Sequence, residues 1–108
     1  MRRADVYCRG VLAGVLSEER AGYRFQYAPG YLAVVGTEYP AISLTLPRQQ
    51  AAFESPVLFP YFFGLLAEGE DKELQCRLLR IDPGDHFTRL LKTCNAEAIG
   101  GVTVREVA

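Results

Sequence analysis

The chain has 108 residues, a length that fits one domain and leaves no room for a second. Apolar residues make up 49% and charged residues 23%, an ordinary balance for a soluble globular domain. Twelve Lys and Arg against thirteen Asp and Glu give a net charge of −1, which argues against nucleic acid as the main partner, because phosphate binding needs a dense basic face.

Taken in chain order, the first third reads as β. "DVYCRGVLAGVLSEE" has the pattern of a hairpin: Val6 and Cys8 alternate with more polar neighbours, Arg9-Gly10 makes the turn, and Val11 to Leu16 returns. "GYRFQYAPG" sets Tyr23, Phe25 and Tyr27 on one face and Arg24 and Gln26 on the other, the period of a half-buried strand. Ala28-Pro29-Gly30 closes it. "YLAVVG" is short enough to be a helical turn or a strand. "AISLTLP" repeats the alternation and is expected to be a strand with Ile42, Leu44 and Leu46 on one side, ended by Pro47. The polar link to Pro56 reads as loop or edge strand.

After Pro60 the period changes. A short helix is expected over Tyr61 to Ala67, with Pro60 tolerated at its first turn, and Glu68-Gly69 breaks it. "EDKELQCRLLRI" reads as an amphipathic helix with Leu74, Leu78 and Ile81 at i, i+4, i+7. "DPGD" is a turn whose Asp85 caps a further helix, in which Phe87, Leu90, Leu91 and Cys94 share a face. "IGGVTVREV" is a last strand, with Val102 and Val104 on one side and Thr103 and Arg105 on the other. The expected fold is α+β: a small antiparallel sheet packed with a cluster of about three short helices, in one domain over residues 1–108.

No catalytic constellation stands out. Ser17, Ser43 and Ser55 lack a GxSxG setting, and His86, the one histidine, follows a helix cap and reads as packed or solvated. Glu68, Glu70, Asp71 and Glu73 sit at a helix start, where anions are favoured on electrostatic grounds alone. There is no GxGxxG or Walker-type loop, and Gly100-Gly101 reads as a turn into the last strand. Cys8, Cys76 and Cys94 are odd in number and show no CxxC or Cys/His ligand spacing. They read as reduced thiols of a cytosolic protein, with no metal and no cofactor. Arg2-Arg3 reads as a solubilising end. The N-terminus lacks an apolar signal core, and no apolar run approaches the ~18 residues of a membrane span, so a cytoplasmic location is expected. The chain is expected not to be an enzyme but a binding or structural module.

"LFPYFFGLLAEGE" is the stretch that points outward. On a helix, the apolar residues from Phe59 to Leu66 spread over roughly 200°, about twice the stripe a surface helix buries. For Phe62 and Leu66, burial between sheet and second helix is an equal alternative. Tyr61 and Phe63, at the edges of the arc, are assigned to a partner, since aromatics are the usual interface anchors. The candidate partner-binding set is Phe59, Tyr61, Phe62, Phe63, Leu66 and Glu68.

These segments, with "AISLTLP" and "GDHFTRLLKTCNAEAIGGVTV", occur in the order seen in the N-terminal subdomain of HipA-type serine/threonine kinases, and the chain resembles that family over almost its whole length. The most specific piece is Ser43-Leu44-Thr45-Leu46-Pro47, followed sixteen residues later by Phe63 and Leu65-Leu66-Ala67-Glu68-Gly69. Arg9 stands where the family commonly has Asn, Ala67 replaces its Pro, and Ala98-Ile99-Gly100-Gly101 departs from its Gly-Ala pattern. In full-length HipA the chain continues into a phosphate-binding loop, a nucleotide lysine and catalytic and metal-binding aspartates. None of these is present here. The resemblance therefore implies a stand-alone, HipS-like protein of tripartite HipBST toxin–antitoxin systems. It implies docking on a HipT/HipA-like kinase and neutralising it, with a HipB-like helix-turn-helix protein as a possible third member. The alternative it allows is a regulatory N-terminal subunit of a split HipA-type kinase, needed for its activity or for docking the HipB-like DNA-binding protein.

Overall fold

The computed structural model describes residues 2–34, 39–94 and 101–107. Strands β1 (Arg2–Cys8) and β2 (Val11–Glu19) form the expected hairpin. Its two-residue turn puts both Arg9 (φ 52°) and Gly10 (φ 81°) in the left-handed region, the geometry that matches the twist of paired strands. Strand β3 (Gly22–Tyr27) adds to β2, and the three-residue edge strand β4 (Phe53–Ser55) adds to β3. The last strand, β5 (Val102–Glu106), returns to the other side of β1. The sheet is fully antiparallel, in the order β4-β3-β2-β1-β5.

The register explains which face is buried. Ala4 pairs with Leu16, Leu16 with Phe25, Phe25 with Phe53, and Val6 with Val104. Because side chains alternate along each strand, these residues share one face, and that face is the core. Gly14 sits between Val6 and Tyr27 in this layer; a Cβ there would meet the Gln26 carbonyl oxygen and the Phe25 ring. Four helices are described, against about three expected. α1 (Pro29–Ala33) brings Tyr31 into the core, α2 (Pro60–Phe63) brings Phe62, and α4 (His86–Thr93) brings Phe87, Leu90 and Leu91. α3 (Gly69–Leu79) buries only Cys76 of its eleven residues. Gly101, at φ +72°, accepts a hydrogen bond from the Arg9 N–H as the chain enters β5; Gly100 lies outside the described residues, as do residues 35 and 36 of "YLAVVG". Among the described residues no helix is long and apolar enough to cross a membrane.

Three expectations are corrected. "AISLTLP" is not a strand but a tight turn with a single bridge, Ser43 to Leu46, and Leu44 is fully exposed while Leu46 is buried. Its backbone groups are satisfied locally. The Thr45 N–H donates to the Ser43 hydroxyl (3.2 Å) and the Leu46 N–H to the Ser43 carbonyl (3.1 Å). The Tyr27 hydroxyl takes the Ile42 N–H and donates to the Leu46 carbonyl. Second, the helix expected over Tyr61 to Ala67 ends at Phe63. Leu65 and Leu66 then bond back three residues, to Phe62 and Phe63, in a tighter turn, and Leu66 is buried. Third, Leu74 and Leu78 do not face the core: they are 52% and 71% exposed, and Cys76 on the opposite side is what packs inward.

Candidate partner-binding face

The α2 stretch divides into an inner and an outer layer. Phe59, Phe62 and Leu66 belong to the core cluster, with Phe62 fully buried against Phe25 (ring centroids 5.6 Å) and Phe59 (6.4 Å). Pro60 starts the helix with its fixed φ and without an orphan N–H, so the turn forms although it is only four residues long. Tyr61 is half-buried and edge-on to Phe62 at 5.3 Å; burial pushes its hydroxyl pKa up, so it stays a neutral donor at any ordinary pH. Phe63 is 39% exposed, and Glu68 is exposed at the start of α3, where its side chain makes no capping bond. Of the six residues assigned to a partner, Phe63 and Glu68 turn to solvent, Tyr61 lies at the boundary, and Phe59, Phe62 and Leu66 pack inward.

Phe63 is held in place from below. Its ring meets His86 edge-on, with centroids 5.1 Å apart and planes at 80°. His86 is in turn held by Arg89, whose Nη1 lies 3.2 Å from Nδ1. Burial lowers the His86 pKa, the Arg89 and Lys72 charges lower it further, and Asp85 opposes them. The neutral ring is thus the favoured form, consistent with Nδ1 accepting from a guanidinium. Arg89 is 2% exposed, and its Nη2 donates to the Ala67 carbonyl at 2.7 Å, so one buried cation ties α4 to the α2–α3 link. Sequence reasoning missed Arg89. It lies on the side of α4 away from the Phe87, Leu90 and Leu91 face, and its burial there is supported by His86 Nδ1 and by the carbonyl of Ala67, 22 residues away.

The N-terminal end of α4 is also anchored by Arg2. Its guanidinium donates to Glu18 (2.9 Å), to Thr88 (2.6 Å) and to Asp85 (3.0 Å), and lies over the Phe87 ring at 5.0 Å. Asp85 is the expected N-cap, accepting the Thr88 N–H at 3.2 Å. Arg2 is therefore a structural residue and not a loose solubilising end. The three cysteines are buried free thiols, and burial raises the Cys94 pKa against the Thr93 hydrogen bond and the Arg89 charge. Among the described residues no group of three or more His, Cys, Asp or Glu is placed to hold a metal ion. The arrangement is a presented edge: an exposed ring on a braced turn, followed by the acidic first turn of α3.

Residues 4–105 match the family model of the HipA N-terminal domain. An uncharacterized protein of Haemophilus influenzae is 34% identical over 106 residues, covering 98% of this chain and 93% of the relative. Among solved structures, the N-terminal domain of HipA toxin aligns with a TM-score of 0.72 at 33% identity, over 100% of this chain and 94% of that one. The five-stranded antiparallel sheet with its short helices is the fold of that domain, and the chain belongs to the HipA N-terminal domain family.

Proposed function

We propose that this protein is a non-catalytic antitoxin that binds a HipT/HipA-like serine/threonine kinase toxin and neutralises it, with a HipB-like DNA-binding protein as third member of the complex. The observation that carries the reading is family membership over residues 4–105. The braced, outward Phe63 beside the acidic start of α3 supports it, since a rigid aromatic on a preformed turn binds with little loss of conformational freedom. His86, the residue an acid–base mechanism would call on, is engaged by Arg89 and Phe63 instead. Inhibition requires only that the module bind an inactive arrangement of the kinase more tightly than the active one. The match to a domain described as part of HipA toxin favours a second reading, in which the chain is a regulatory lobe needed for kinase activity.

The two readings differ in sign. Autophosphorylation of the cognate kinase, measured with and without the protein, falls under the first and rises under the second. No change at saturating protein refutes both.

A further inference from the structure

We propose that α3 is the seam of a symmetric dimer: two copies of this chain pair their α3 helices antiparallel through Leu74 and Leu78, with Glu70 of each facing Arg77 of the other. α3 is the least anchored helix of the fold. Its one buried residue, Cys76, and the following Ile81 lie outside the main core cluster. Leu74 and Leu78 are about 40° apart around the helix, point away from Cys76 and are 52% and 71% exposed, so the two form a stripe left largely uncovered by the described residues.

The charge pattern along that stripe names the occupant. Glu70 and Arg77 are seven residues apart, about 20° from superposition, and therefore flank the leucines on the same side. Acidic residues, Glu70 and Asp71, occupy the first turn and Arg77 the last. Among the described residues neither Glu70 nor Arg77 is in a salt bridge; the ion pairs there are those of Arg2 with Glu18 and Asp85. A parallel neighbour with this pattern would set like charges together. An antiparallel copy with its two-fold axis beside Leu74 sets Glu70 against Arg77 twice, once on each side of that axis, with Leu74 packed on its own counterpart and Leu78 toward each end of the seam; that is the self-complementarity an isologous interface requires. The seam is two turns long, so the pair is a weak one and belongs at the small end of specific interfaces. The inference does not rest on the kinase reading, and a monomeric variant that still binds the kinase leaves that reading untouched.

Sedimentation equilibrium of the full chain tests it. The weight-average mass should rise toward twice the monomer value as concentration increases into the millimolar range. The pair Leu74→Gln and Leu78→Gln should weaken dimerisation at least tenfold with an unchanged circular dichroism spectrum, since both side chains are exposed. Glu70→Arg and Arg77→Glu should each weaken it alone, because each sets two like pairs across the axis. An equimolar mixture of the two variants should restore it, because each pair is then opposite in sign. A monomer at every concentration overturns the proposal. So does a dimer indifferent to the leucine changes, or a mixture that associates no better than its components.

Discussion

Two neighbouring phenylalanines, Phe62 and Phe63, should separate stability from binding. Phe62 is fully buried, and truncating a buried Phe to Ala costs about 3–5 kcal/mol, from lost transfer energy plus the cavity left behind. Domains of this size have a total stability of about 5–15 kcal/mol, so Phe62→Ala should leave a marginal fold. Phe63 keeps 39% of its surface exposed. Roughly six-tenths of a Phe burial worth about 1.5–3 kcal/mol, together with its edge contact to His86, gives a cost of about 1–2 kcal/mol. Urea denaturation followed by circular dichroism reads both. Under the antitoxin reading, Phe63→Ala should also weaken kinase binding about tenfold or more by calorimetry, the loss of an interface anchor. Phe62→Ala should reduce binding only as far as it unfolds the protein. If Phe63→Ala destabilises as much as Phe62→Ala, the two-layer description of α2 is wrong. If it is folded and binds with unchanged affinity, Phe63 is not the anchor.

Three further outcomes follow from the sheet and the α4 cap. Arg9→Asn should raise the melting temperature, because a non-glycine residue at φ 52° is strained by about 1 kcal/mol and Asn tolerates that region better; differential scanning calorimetry detects a gain of a few degrees, and a loss would mean that Arg9 stabilises the turn through contacts worth more than the strain. Gly14→Ala should destabilise the fold by about 2 kcal/mol or more, since the new Cβ meets backbone at the Gln26 carbonyl and the Phe25 ring cannot retreat from a filled core; an unchanged urea midpoint would refute that packing. Asp85→Asn should lower stability at neutral pH and flatten the acid limb, because Asn still caps the helix but carries no charge to pair with Arg2, so the two proteins converge as the pH falls. Burial raises the Asp85 carboxyl, but hydrogen bonds from Thr88 and Arg2 outweigh it and hold the pKa below the ordinary 3.8. Its contribution is therefore complete above that value and lost as pH falls through the depressed folded value. Melting curves taken from neutral pH down to acid pH in both proteins check the sign; the site is over a third exposed, and added salt should shrink the difference.

What was legible in the sequence was whatever local chemistry decides. The hairpin turn at Arg9-Gly10, the alternation in β3, the Asp85 cap and the apolar face of α4 all depend on residues close in the chain, and all are present. "AISLTLP" was misread because its alternation is real but its hydrogen bonds are taken elsewhere, by its own Ser43 and by the Tyr27 hydroxyl, fifteen residues from Ile42. The leucines of α3 were misread for a related reason. Periodicity shows that a helix has an apolar face, not that the chain owns a surface to cover it. In the candidate site the same limit applied: the run Phe59 to Leu66 was visible as an excess of apolar residues, but which rings go inward depended on the sheet face they meet, where Phe62 packs on Phe25, 37 residues earlier in the chain.

The division of the α2 run bears on binding. Phe59, Phe62 and Leu66, at i, i+3 and i+7, are the three residues of the run that join the core. Phe63 lies outside that set and stands on His86. Arg89 fixes both halves of that arrangement, through His86 beneath the ring and through the Ala67 carbonyl at the start of α3. A domain that folds this way presents its exposed ring on a braced turn and α3 as an outlying, lightly anchored helix. Partner affinity can then change at Phe63 or along the α3 stripe without disturbing the core that Phe62 closes.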